Sequence, residues 1–257
     1  MRRHIDAFFA AVMFFTRIPV PQAKGDPMNL LQDSAKFFPW VGLIVGGIAA
    51  VILLGAGLVV GPALAVLISM TVSILTTGAF HEDGFADVCD AFGGGWTKEK
   101  ILVIMKDSRL GTYGVVGLIL ILSMKFALLI ELLGHGMPWR MAAVLIAAHS
   151  VSRFMGVTLM QGLEYVTDAD ASKSKPIATR RLTASGIGVA ALGALLPFVF
   201  LPAMFLAAII PAAAARAYLG LYFRKWIGGY TGDCAGATQQ VCEIMFYIGA
   251  ELIWKFC

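Results

Sequence analysis

The run from Phe37 to Val60, FFPWVGLIVGGIAAVILLGAGLVV, carries no charged residue and is longer than the roughly 18–20 residues that cross a bilayer. Gly42, Gly46 and Gly47 give it a face of small residues suited to close helix packing. Gly61-Pro62 closes it with a tight turn, and Ala63 to Phe80 returns as a second apolar run. The same reading extends outward. Tyr113 to Leu133, Trp139 to Gly162, Ala184 to Leu201, Ala203 to Phe223 and Ala237 to Trp254 follow as further spans, the last weakened by Glu243 and Glu251. Met1 to Pro21 opens with Arg2 and Arg3 and has an apolar run too short to span, ended by Arg17-Ile18-Pro19, so it reads as an interfacial helix. The expected fold is an all-α polytopic transmembrane bundle of about seven spans plus that N-terminal helix, as one domain over residues 1–257.

Composition agrees. Hydrophobic residues make up 59% of the 257, against 45–50% in ordinary soluble domains, and charged residues only 14%. No run of short alternating segments suggests a barrel. The net charge of +4 comes from residues scattered over loops, which argues against nucleic-acid binding. Cys89, Cys234, Cys242 and Cys257 form no metal-ligand spacing. With Met1 inside, the polar loops at 81–111, 163–183 and 224–236 share the cytoplasmic side with most Lys and Arg, while Arg140 and Lys255 lie opposite. Polar chemistry gathered on one face suits an enzyme acting on cytoplasmic solutes. A transporter would place ionisable groups and broken helices near the midplane.

The densest charge lies between His81 and Gly114. Asp83, Asp87 and Asp90 recur at i, i+4 and i+7, on one face of a helix. Like charges so placed repel, and a divalent cation such as Mg²⁺ or Mn²⁺ relieves them. Gly84 leaves room beside Asp83 for a ligand or a backbone. Gly93-Gly94-Gly95 then breaks the chain, and Lys106, Asp107 and Arg109 place two cations beside a carboxylate. That pattern serves a diphosphate or plain positive-inside anchoring equally well. Carboxylates, cations and the absence of a Walker or dinucleotide motif together suggest metal-assisted phosphoryl transfer. In the third loop Gly228-Gly229, Thr231, Gly232 and Asp233 precede a helix, which suits an anion or a helix cap. Within the spans, His149 and Arg153 share a face, with Arg153 able to reach a watery cavity, and Lys125 is expected to pair or snorkel.

The run Gly78 to Asp90, GAFHEDGFADVCD, and the run Ile104 to Gly114, IMKDSRLGTYG, closely resemble the cobalamin synthase family, the adenosylcobinamide-GDP ribazoletransferases. Phe15 to Pro21, Lys173-Ser174-Lys175-Pro176 and Gly228 to Asp233 resemble it too, in the same order. Glu82 departs from the pattern, since an apolar residue is expected between the histidine and the aspartate. The resemblance implies that adenosylcobinamide-GDP reacts with α-ribazole or its 5′-phosphate to release GMP. It also implies Mg²⁺ and a multi-pass protein of the bacterial inner membrane with its site on the cytoplasmic face. On that basis Asp83, Asp87, Asp90 and Glu82 are the expected metal ligands. Lys106, Asp107, Arg109 and Asp233 are the expected catalytic groups. Arg17, Arg153, Lys173, Lys175, Gly229 and Thr231 are expected to bind substrate. The bilayer is an expected partner, and a homo-oligomer is left open. Two rival readings fit less well. A CDP-alcohol type phosphotransferase would carry an Ala-Arg after its first Asp-Gly, which is missing here, and a transporter would show an internal repeat, which is also missing.

Overall fold

A computed structural model describes residues 2–22, 26–166 and 181–256. Among them the chain is helical, and its only β-like pairing is a bridge between Tyr165 and Tyr230. The expected all-α class is what is observed. Helix α1 (Arg2–Phe15) is followed by α2 (Pro27–Ser34) and the long apolar α3 (Phe38–Gly57). Next come α4 (Pro62–Thr77), α5 (Phe80–Gly94) and the short α6 (Lys98–Met105). Then α7 (Thr112–Gly134), α8 (Pro138–Gly162) and α9 (Ala184–Leu195) lead through short 3-10 turns to α10 (Ile209–Ile227) and α11 (Gly232–Phe256).

Four helical stretches are long and apolar enough to cross a membrane: Asn29–Gly57, Thr112–Gly134, Pro138–Gly162 and Ala203–Ile227. The α4–α5 pair makes a fifth if its two halves count as one span. The apolar Ala184–Phe200 stretch and the 25-residue α11 bring the number near the expected seven. Helices α8 and α11 form the centre: α8 packs on α3, α9 and α11, and α11 also packs on α5, α7 and α10. The small-residue face of α3 does what its composition implied. A side chain at Gly42 would begin 2.5 Å from the His149 carbonyl oxygen, and one at Gly46 2.8 Å from Ile146 Cα, so α3 lies directly on α8. Gly47 faces open space.

One expectation needs correcting. The stretch from 81 to 111 is not a loop but largely the two helices α5 and α6. The chain turns by 88° between α4 and α5, because Gly78 (φ 67°) and Ala79 (φ 60°) are both left-handed. Gly78 takes that conformation freely. Ala79 does so at a cost of about 1–2 kcal/mol, which marks a bend imposed by its surroundings. After it, α5 runs across the end of the bundle instead of continuing α4.

The membrane interior holds a compact polar network. Lys125 of α7 and Glu243 of α11 pair at 2.6 Å, with side chains only 4% and 1% exposed. Glu243 also accepts from Gln239 Nε2 at 2.7 Å and from the Tyr247 hydroxyl at 3.2 Å. Arg153 donates to the His149 carbonyl one turn earlier at 2.8 Å. Lys125 thus pairs, and the charge that weakened α11 as a span is neutralised by its partner.

Candidate active site

Helix α5 carries the acidic face. Its sequence, FHEDGFADVCDAFGG, forms a helix despite three glycines: His81, Glu82, Gly84, Ala86 and Ala91 are buried against its neighbours, Asp83 is exposed, and Asp87 and Asp90 are half-buried. The spacing read from the sequence holds: Asp83, Asp87 and Asp90 lie on this one helix. They are joined by Asp233, in the first turn of α11 and ahead of its apolar segment. The two helices touch at Gly84, where a side chain would begin 3.0 Å from Asp233 Cα. Gly84 therefore makes room for a neighbouring backbone, and that contact brings the fourth carboxylate in.

The electrostatics follow from that convergence. Asp87 is pushed up to about 7, first by partial burial, then by Asp233, Asp83 and Asp90. Asp233 rises to about 6, chiefly through burial, with Asp83 adding to it. Asp107 goes the other way. The Arg109 guanidinium, 2.6 Å away, holds it down to about 2. A carboxyl held that low is a poor base, whereas Asp233 sits close to neutrality.

Asp90 differs from its two companions. Its Oδ2 accepts from the Gly111 amide at 2.7 Å and its Oδ1 from the Gly114 amide at 2.8 Å. Gly111 and Gly114 open α7, so the carboxylate caps that helix and moors α5 to it.

Glu82 does not join the aspartates. One residue along a helix is a turn of about 100°, and that carries it to the buried side. There its Oε1 accepts from Gln240 Nε2 at 2.9 Å, beside the network around Lys125 and Arg153. Thr231 is buried too, its hydroxyl accepting from the Cys234 amide at 3.3 Å, so it is the cap of α11. Gly229 lies hard against the Glu164 carbonyl, in a segment tied by Tyr230 N to Glu164 O at 3.0 Å and Val166 N to Tyr230 O at 2.8 Å. Both residues build the turn that presents Asp233. Arg17 is exposed at the α4–α5 bend, its amide bonded to the Thr76 carbonyl at 2.8 Å and its guanidinium lying over Gly78. Lys106 and Arg109 are exposed after α6. Lys173 and Lys175 lie outside the described residues.

Two concavities sit at opposite ends of α5. Near its end an open cleft is bounded by Asp90, Ile104, Asp107, Arg109 and Thr112, with about 850 Å³ of empty space. Near its start a narrower cavity, with about 590 Å³ of empty space counting its open side, runs in beside the first turn of α11. Its wall is aromatic: Phe14, Phe15, Phe38, Phe80, Tyr165 and Tyr230. His81, Arg153 and Gln239 supply its polar groups. Sequence reasoning missed this cavity, apart from Arg153. Its residues come from α1, α3, α5, α8, α11 and the connections before α11, and no local pattern joins them.

Among the described residues no three His, Cys, Asp or Glu are grouped closely enough to hold a metal ion by themselves. The donors still fit a hard divalent cation, since Asp83, Asp87 and Asp233 offer carboxylate oxygens only, and burial together with the neighbouring carboxylates raises Asp87 to about 7. Mg²⁺ commonly takes one or two carboxylates and completes its shell with water and substrate phosphate oxygens, which suits a cluster that is not a closed cage.

Comparison with known proteins follows the same lines. The family model for cobalamin-5-phosphate synthase matches residues 7–251. An adenosylcobinamide-GDP ribazoletransferase of Shewanella frigidimarina is 43% identical over 96% of this chain and 94% of its own length. Proteins of the same name from Shewanella oneidensis (42%, 95% and 93%) and Leptospira interrogans (38%, 96% and 96%) are similar along almost their whole length. No solved structure matches the chain.

Proposed function

The chain belongs to the cobalamin-5-phosphate synthase family, and from that premise we propose that it transfers the adenosylcobinamide-phosphate group of adenosylcobinamide-GDP to α-ribazole or its 5′-phosphate. The observation that carries the reading to particular atoms is the meeting of Asp83, Asp87 and Asp233 between two concavities on one face of the bundle. A ribose hydroxyl oxygen attacks the phosphorus that bears the cobinamide. The bond from that phosphorus to the bridging oxygen breaks, and GMP leaves with the oxygen. The adenosylcobalamin product, or its phosphate, keeps the transferred phosphoryl group.

The chain's own groups take the following parts. Asp233, pushed up to about 6, accepts the hydroxyl proton. Arg109 exchanges Asp107 for phosphate oxygens at the open cleft, and Lys106 adds charge there. Asp107, already held by Arg109, keeps that guanidinium in place between turnovers. Asp90 fixes the angle of α5. Asp83 and Asp87 are the residues that would hold Mg²⁺, which supplies charge neutralisation to the diphosphate when bound. In this reading the membrane is the bacterial inner membrane and the α5 face is cytoplasmic; the gathering of Lys and Arg in the loops on that side supports the orientation.

The test is GMP release by the purified protein in lipid, given adenosylcobinamide-GDP and α-ribazole 5′-phosphate with Mg²⁺ and then with EDTA. Release that needs both substrates supports the transferase. No release from a folded sample refutes it. Release unaffected by EDTA refutes the metal alone.

A further inference from the structure

The aromatic cavity at the start of α5 is not needed to explain phosphoryl transfer, yet six aromatic rings line it beside the start of α11. Phe15 lies parallel to the His81 ring at 5.6 Å and edge-on to Phe38 at 4.2 Å, so the wall is a packed set of rings. Two buried polar atoms of residues lining it have no hydrogen-bond partner among the described residues: Arg153 Nε and Gln239 Oε1, on side chains 4% and 3% exposed. Buried polar groups left unpaired are costly, and a bound ligand with matching groups lowers that cost. Gly232, next to Asp233, is part of its lining.

We infer that this cavity is the seat of the heteroaromatic base of the ribazole substrate, with the ribose reaching out past Gly232 to Asp233. This rests on the transferase reading above. A benzimidazole nucleoside is flat and mostly apolar, with one ring nitrogen free to accept a hydrogen bond. Arg153 is the lining side chain with donors for that nitrogen, and Gln239 the one with an acceptor for a ribose hydroxyl. Phe15 and Phe80 stand perpendicular to each other, so a flat base meets one ring face-on and the other edge-on. Guanine fits poorly, because its edge carries several donors and acceptors that this wall would strip of water and leave unpaired. The open cleft with Arg109 suits the diphosphate half, and Asp83 and Asp87 lie on the helix between the two ends. His81 to Asp90 is about 14 Å along that helix, so each substrate has its own end.

The experiment narrows the cavity from its floor. Gly156 lines it, and a Cβ there would meet only the Ala235 carbonyl at 3.6 Å, an ordinary contact. Gly156→Ala and Gly156→Val put one and three carbons into the space. The expected result is a rise in KM for α-ribazole 5′-phosphate of about tenfold or more in Gly156→Val, smaller in Gly156→Ala, with KM for adenosylcobinamide-GDP unchanged. A rise in KM for adenosylcobinamide-GDP instead assigns the cavity to guanine and overturns the inference. So does an unchanged KM for both substrates in active variants. Because the readout is turnover by active protein, these failures leave the transferase itself standing. A second measurement does not depend on how the variants fold. A photoreactive diazirine derivative of α-ribazole, applied to the wild-type protein, should label peptides containing Phe80, Met160 or Tyr230 and be displaced by α-ribazole. Labelling elsewhere, or labelling displaced only by lipid, overturns the assignment.

Discussion

Asp90 gives the sharpest test of how this site is built, because sequence and structure give it different work. As a metal ligand its loss would remove the cation and leave the fold alone. As the cap of α7 its loss would loosen α5 and leave the cation's carboxylates in place. Each of its oxygens takes one amide hydrogen bond, at 2.7 and 2.8 Å, and the carboxylate lies at a helix N-terminus. Losing a helix cap costs about 0.5–2 kcal/mol, and hydrogen bonds to a charged group are worth about 1.5–3 kcal/mol each. Asp90→Ala, which strands two amides, should therefore destabilise by about 2–4 kcal/mol. Asp90→Asn keeps one acceptor oxygen and should cost about 1–2 kcal/mol. At roughly 2–4 °C per kcal/mol for a chain of this size, Asp90→Ala lowers the midpoint by roughly 5–15 °C. Thermal unfolding in detergent measures that. Mn²⁺ binding followed by electron paramagnetic resonance supplies the other arm: Asp90→Asn retains it within about threefold, and Asp87→Asn loses it. An Asp90→Asn protein that melts like the wild type but no longer binds Mn²⁺ would refute the reasoning.

Other consequences can be checked alongside. Asp87 is raised to about 7, so below that pH a proton occupies it and competes with the cation; metal affinity should climb as pH rises from 6 to 8, with a proton released on binding near pH 6.5, and titration calorimetry in two buffers would expose a flat profile if the cluster does not act this way. The same raised value opposes folding of the metal-free protein as pH rises from about 4 through 7, since the folded state holds the proton more tightly than the unfolded one; Asp87→Asn should flatten that part of the stability profile. Glu243→Leu alone strands Lys125 in the interior and should cost about 3–5 kcal/mol, whereas Lys125→Met with Glu243→Leu should recover most of it; equal losses in the single and double variants, measured by denaturant unfolding, would show that the pair is not coupled. Gly84→Val should push α5 away from the Asp233 backbone, lowering turnover at least tenfold with stability reduced by about 1–3 kcal/mol, and undiminished turnover would mean that this contact does not set the site.

Much of this was legible in the chain. The apolar runs and the glycines of α3 needed only length and spacing. The aspartate face needed only the period of a helix, and Gly93-Gly94 do end α5 as the glycine run implied. What escaped notice lay in relations across the fold. The high charge of 81–111 looked like a loop, whereas the helices there are amphipathic pieces at the end of the bundle. Asp90 finds its partners in backbone amides of another helix, and amides leave no mark in a residue pattern. Glu82 was readable in principle: a turn of about 100° from Asp83 aims it at the buried side, and buried basic residues awaited it there. The aromatic cavity was not readable at all, because its wall is assembled from positions as distant as Phe14 and Gln239.

The pairing of Lys125 with Glu243 also bears on the order in which the protein enters its membrane. A carboxylate or an ammonium near the centre of a lone helix opposes insertion by about 2.5–3.5 kcal/mol. Helix α7 leaves the ribosome more than a hundred residues before α11. Its lysine must wait near the insertion machinery, or in the company of earlier helices, until the glutamate arrives. The later helix is thus the one that completes the burial of an earlier one, and it carries Asp233 at its head. A chain released before α11 is finished would have neither its interior charge neutralised nor its acidic cluster complete.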